Sequence, residues 1–187
     1  MAQTPQQNEP PLCVDLDGTL TKGDSTVRMG WHLALTRPWL APAIPYWDHH
    51  GRARLKEELA RRVPSDAISW RYNQTLIAWL RQRHAEGRRL ILASGSNYRA
   101  VAAVARHVGL FDEFIASDAV TNFAGAAKAA GLTQRFGTFD YIGNSKKDVA
   151  VWRLARDCYL VANSDRLTAW LARRVKFTRI FPGDWTR

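Results

Sequence analysis

Short apolar runs that stop at a polar or glycine-containing turn alternate with helical periodicity along residues 75–180, and few folds satisfy that pattern. Residues 89–93 (Arg-Leu-Ile-Leu-Ala) end at Ser94-Gly95-Ser96, and residues 138–142 (Thr-Phe-Asp-Tyr-Ile) end at Gly143-Asn144-Ser145. An earlier run, 12–16 (Leu-Cys-Val-Asp-Leu), opens into Asp17 and Gly18; 113–116, 158–161 and 175–180 complete six expected strands. Between them, Val101, Val104, Ala105 and Val108 keep helical spacing over 97–108, as do Val149, Trp152 and Leu154 over 146–156, and Leu167, Trp170 and Leu171 over 165–173. Strands that alternate with helices throughout 75–180 predict a parallel sheet covered on both faces, with the working residues at the carboxyl ends of its strands.

Residues 24–74 break the alternation. They predict helices around 25–36, 52–62 and 66–82, punctuated by Pro38, Pro42, Pro45 and Pro64. The expected architecture is therefore α/β: a Rossmann-like core of residues 12–23 and 75–187, a small helical cap over 24–74 inserted after the first strand, and a flexible N-terminus over 1–11. That N-terminus is polar and Pro/Gln-rich, without the basic start and apolar stretch of a secretory signal. No apolar run approaches the ~20 residues needed to cross a bilayer. Cys13 and Cys158 each lie among apolar residues, which predicts buried thiols and suits a reducing cytoplasm. The net charge of +10 attracts anions, but its arginines and lysines are scattered, so no specific nucleic-acid partner is expected.

The strand ends carry the chemistry. Asp15 and Asp17 are two apart, a spacing that puts both carboxylates on one face if the strand persists that far. Carboxylates so close repel unless a cation or proton lies between them. Ser94 supplies a hydroxyl, and Gly95 leaves the backbone open to close approach. Lys128, in a loop or early helix, adds a cation; Asn144 and Asp148 add oxygen ligands. Each has a plain structural alternative as a turn residue, helix cap or surface charge. All of them together, each beside a strand end, do not.

Asp15-Leu16-Asp17-Gly18-Thr19, Ser94, Lys128 and Gly143-Asn144-Ser145-Lys146-Lys147-Asp148 resemble the four motifs of the haloacid dehalogenase superfamily, over roughly residues 12–165. Leu92-Ala93-Ser94 and Asp140-Tyr141-Ile142-Gly143 further resemble the phosphatase-like domains fused to UbiA-type membrane prenyltransferases, of which this chain would be a free-standing version. The resemblance implies a Mg²⁺-dependent phosphate monoester hydrolase acting on a small phosphorylated substrate. Asp15 would be the nucleophile and Asp17 the general acid/base. Thr19, Ser94, Gly95 and Lys128 would hold the phosphoryl group, and Asp15, Asp17, Asn144 and Asp148 the metal. The second carboxylate points to phosphatases or phosphomutases. Asn144 stands where the family usually has Asp, which weakens metal binding by one formal charge and keeps a non-catalytic binding module as the alternative.

The cap holds Trp31, Trp39, Trp47 and Trp70, and Val27, Trp31 and Leu35 share one helical face. These rings are expected to pack the cap onto the core. The competing expectation is an apolar substrate groove or a peripheral membrane contact, given Arg28, Arg37, Arg52 and Arg54 nearby.

Overall fold

The computed structural model describes residues 9–64 and 70–186. Six parallel strands form its main sheet: β1 (Leu12–Val14), β3 (Leu90–Asn97), β4 (Glu113–Ser117), β5 (Asp140–Gly143), β6 (Cys158–Ala162) and β7 (Arg179–Pro182), in the order β4-β3-β1-β5-β6-β7. A separate two-stranded antiparallel ribbon joins β2 (Tyr72–Asn73) to β8 (Trp185–Thr186).

Strand periodicity explains both cores. Leu12, Val14, Leu90, Leu92, Ile142 and Val161 pack on one face of the sheet, whereas Cys13, Ile91, Ala93, Tyr141 and Leu160 pack on the other. In the inner strands β1, β3, β5 and β6, successive side chains thus go to opposite faces that are both covered, which is why their apolar residues do not alternate, whereas the edge strands β4 and β7 are partly exposed. Cys13 and Cys158 are buried free thiols, as expected.

Helices α4 (Gln74–Ala85), α5 (Tyr98–Val108), α6 (Ala126–Phe136), α7 (Val149–Trp152) and α8 (Asp165–Ala172) cover the sheet. Among the described residues between β1 and β2 lie the α-helices α1 (Ser25–Thr36), α2 (Ala43–His49) and α3 (Arg52–Arg62), with a 3-10 turn at Pro38–Leu40. Their Met29, Leu33, Trp47, Leu55 and Leu59 join the same buried cluster as Leu12 and Val14, so this segment packs continuously with the sheet.

Several boundaries move. The helix expected over 66–82 begins at Gln74, because the Asn73 side chain accepts from Leu76 N at 3.0 Å and caps it there; residues 65–69 lie outside the described ones. The last strand starts at Arg179 rather than 175, since Arg174 and Val175 N–H groups still close α8 onto Leu171 O at 2.8 and 3.0 Å. The N-terminal expectation over 1–11 falls largely on residues 1–8, outside the described ones; Glu9 is ion-paired to Arg83 and Arg88.

At the amino ends of the strands, fully buried Asp140 accepts from Arg88, from Arg156 at 2.9 and 3.1 Å, and from Asp157 N at 3.1 Å. Removing one partner of a buried charge pair strands the other, at a cost of about 3–5 kcal/mol. Asp140→Ala should therefore lower the unfolding free energy by about 3 kcal/mol or more, measured by urea denaturation; an unchanged midpoint would show that the cluster contributes nothing.

Candidate active site

The sheet order reverses at β1: the chain proceeds outward through β3 and β4, then returns to the other side at β5. Parallel sheets leave a crevice at such a reversal, outside the carboxyl ends of the strands. A cleft of about 1230 Å³ opens there. Asp15 and Asp17 line it after β1, Ser94, Gly95 and Ser96 within β3, Lys128 in the first turn of α6, and Asn144 and Asp148 after β5.

Asp15 and Lys128 form the centre. Lys128 Nζ donates to Asp15 Oδ1 at 2.6 Å, and both side chains are buried. The same ammonium donates to the Tyr141 hydroxyl at 2.9 Å, which donates to Asp148 Oδ1 at 2.7 Å. Asp148 Oδ2 accepts from Asn144 N at 3.1 Å, Ser145 N at 2.9 Å and Ser145 Oγ at 2.8 Å. One continuous polar chain therefore links the ends of β1 and β5 through the first turn of α6.

Burial pushes the Asp15 carboxyl up to about 7, Lys128 opposes that rise, and the Asp148 charge adds to it. For Lys128, burial works against the ammonium, yet Asp15, Asp148 and Asp17 outweigh it and the net shift is upward. The Tyr141 hydroxyl is held far above its usual range by burial, with the Asp148 and Asp15 charges adding. It stays protonated and works as a relay of hydrogen bonds.

Asp17 is held differently. Its Oδ1 accepts from Ser25 N at 3.0 Å, and its Oδ2 accepts from Ser25 Oγ at 2.9 Å and from Ser96 Oγ. Ser25 is the first residue of α1, whose own N-cap is Asp24. The carboxylate thus sits at a helix N-terminus, where backbone N–H groups favour an anion. Burial raises its proton affinity and the Ser96 and Ser25 bonds pull it back, leaving a net rise.

Gly18 explains why the Asp15–Asp17 turn tolerates this crowding. It has φ +75°, and a Cβ there would lie 2.1 Å from Asn144 Nδ2. The left-handed backbone favours glycine, and any side chain there would force the Asn144 amide to move.

The positions marked in the sequence converge, with one difference of role. Thr19 is fully buried and does not line the cleft; its hydroxyl approaches Asp15 Oδ2 at 3.4 Å, so it orients that carboxylate rather than facing a ligand. Ser94 Oγ accepts from Ser96 N at 3.1 Å. Sequence reasoning missed Tyr141, Ser25, Ser96 and Lys56. Tyr141 looks like a core strand residue, and Ser96 shows only as the third member of Ser94-Gly95-Ser96. Lys56 of α3 reaches Gly95 O and, at 2.8 Å, Asn122 Oδ1, and burial lowers its proton affinity.

The aromatic residues of the helical segment divide. Trp47 and Trp70 are buried as expected, whereas Trp31 and Trp39 are 66% and 73% exposed and do not pack onto the core.

The family model for haloacid dehalogenase-like hydrolases matches residues 12–184, and the chain belongs to that family. A curated relative, the uncharacterized protein y4nM of Sinorhizobium fredii, is 30% identical over 155 residues, which cover 82% of this chain and 30% of that protein. Among solved structures, a protein of unknown function from Bordetella pertussis superposes with a TM-score of 0.68 at 17% identity, covering 92% of this chain and 98% of that one. A phospho-aspartyl intermediate analogue of phosphoserine phosphatase gives 0.61 at 12% identity, covering 94% of each chain. At such identities these structures show a shared fold, and they agree with the α/β architecture expected from the sequence.

Tyr141→Phe keeps the ring and deletes the relay hydroxyl. Loss of two buried hydrogen bonds to charged partners should cost about 2–3 kcal/mol in urea denaturation. A loss below about 0.5 kcal/mol, less than a single ordinary hydrogen bond contributes, would mean that Lys128 and Asp148 do not depend on the bridge.

Proposed function

We propose that the chain hydrolyses phosphate monoesters through an aspartyl-phosphate on Asp15, with Mg²⁺ as cofactor. The observation that carries this reading is the buried Asp15–Lys128 pair at the floor of a large cleft, with a second, separately held carboxylate two residues along the chain. A phosphate dianion repels an anionic nucleophile, and a buried lysine beside that nucleophile offsets part of the repulsion.

In this reading Asp15 attacks phosphorus, and the bond to the leaving alcohol breaks as Asp17 delivers a proton to that oxygen. Asp17 then takes a proton from water, whose oxygen attacks phosphorus. The bond to Asp15 breaks, and inorganic phosphate leaves with the carboxylate restored. Ser94 and the Gly95 backbone hold the phosphoryl oxygens, Lys128 balances their charge, and Thr19 keeps Asp15 in its rotamer. Ser25 and Ser96 aim Asp17.

The donor set fits a hard divalent cation. Asp15, Asp148, the Asn144 amide and the Asp17 main-chain carbonyl offer only oxygen ligands. Asp148 raises the proton affinity of Asp15, a repulsion that a cation relieves. Bound there, Mg²⁺ would supply neutralisation of the phosphate charge. Asn144 contributes a neutral oxygen and one charge fewer.

Substrate choice would fall to helices α1–α3, acting as a cap. Val27, Ile44 and Leu55 give the cleft an apolar wall beside Arg52 and Lys56. That wall suits a small phosphorylated compound with an apolar portion. The exposure of Trp31 on α1 and of Trp39 in the turn after it supports a peripheral membrane contact by this segment.

Two outcomes test the chemistry. Asp15→Asn should reduce phosphate release from 4-nitrophenyl phosphate by about 10³-fold or more, equivalent to some 4 kcal/mol of barrier. Asp17→Asn should cost more with an alkyl phosphate than with the nitrophenyl ester, whose leaving group needs less proton transfer; equal losses would remove Asp17 from that role. In a separate Mg²⁺ titration of activity, Asn144→Asp should tighten the metal about tenfold, a gain of about 1.4 kcal/mol. Unchanged affinity would show that position 144 does not ligate.

A further inference from the structure

Helix α1 is apolar on two opposite sides. Its inward side buries Met29 and Leu33. Val27, Trp31 and Leu35 recur every four residues on the other side, at 57%, 66% and 79% exposure; beyond the end of α1, Trp39 in the 3-10 turn Pro38–Leu40 is 73% exposed. Surface helices normally turn a polar face to water. The outward stripe of α1 holds Trp31, and Trp39 stands in the separate turn that follows the break at Arg37; tryptophans are suited to the boundary between lipid and water.

A second cleft, of about 610 Å³, begins where this stripe ends. Arg37, between Leu35 and Trp39, lines it with Arg61 and Arg62 at the end of α3, and with Tyr98, Arg99 and Arg106 of α5. Arg62 is paired with Glu58 and Arg99 lies near Glu57. Arg37, Arg61 and Arg106 are exposed and pair with no carboxylate among the described residues. No acidic residue is among the described residues lining the cleft. The three of these five guanidinium groups that lack a described carboxylate partner suit phosphate oxygens, which arginine recognises in a planar, bidentate manner.

We propose that this face docks on an anionic phospholipid bilayer, the arginine cleft receiving headgroup phosphates while Trp31, Leu35 and Trp39 enter the interfacial layer. The proposal rests on the membrane contact read above and names its lipid chemistry and its residues. Apolar insertion and arginine–phosphate attraction act on the same surface, and two such signals hold a protein at a membrane where one is marginal. Because Val27 lines both the stripe and the rim of the catalytic cleft, docking would bring that cleft to the lipid surface.

The test is co-sedimentation of the full chain with vesicles of phosphatidylcholine alone or of phosphatidylcholine mixed with phosphatidylglycerol. Binding should require phosphatidylglycerol. Arg61→Gln combined with Arg106→Gln should weaken it by about tenfold or more, and Trp31→Ser combined with Trp39→Ser should also weaken it at high salt. Each variant should keep the wild-type urea midpoint, which establishes folding without reference to turnover. Failure to bind either vesicle would overturn the membrane contact itself. Equal binding to both vesicles, or undiminished binding by the arginine variant, would overturn the headgroup assignment. Release by inorganic phosphate at constant ionic strength would also overturn it, since the cleft would then take a free anion instead.

Discussion

Lys128 is the charge around which the site is arranged. It is buried in the first turn of α6, yet it touches Asp15 at the end of β1 and, through Tyr141, Asp148 beyond the end of β5. Two carboxylates at neighbouring strand ends would destabilise each other without a cation between them. A buried lysine without them would lose its proton readily. The three groups are therefore interdependent, and the sheet reversal that puts β1 beside β5 is what lets them meet.

The helical segment is registered on the same site by a different bond. The first residue of α1 gives both its N–H and its hydroxyl to Asp17, and Ser96 of β3 completes the carboxylate's partners. Lys56 of α3 meanwhile bonds Gly95 O near the carboxyl end of β3. Helices that shape the cleft are thus bonded to the groups at its floor. A change in their position would be felt by Asp17 and by the Gly95 segment together; under the proposed function, that would couple substrate fit to proton transfer.

Much of this was legible in the sequence because its signals are local. Six strand positions follow from short apolar runs with polar ends, Asp15, Asp17, Ser94, Asn144 and Asp148 from their places beside those ends, and Lys128 from the family resemblance. Tyr141 was hidden because an aromatic in a buried strand looks the same whether its hydroxyl is idle or bridges two charges. Ser25 and Lys56 were hidden because they reach the site from distant helices. Trp47 and Trp70 pack as expected, but Trp31 misled for a related reason: α1 is apolar on both sides at the same spacing, so periodicity alone could not tell the packed side, Met29 and Leu33, from the open one, Val27, Trp31 and Leu35.

The central claim is covalent chemistry at Asp15. It is tested most directly by mixing the protein with a phosphate monoester and Mg²⁺, quenching in acid during turnover, and reducing any acyl phosphate with borohydride before peptide mass spectrometry. The expected result is homoserine at position 15, formed only with substrate present. Phosphate release at full rate with Asp15 unmodified, or reduction at another carboxylate, would contradict the account.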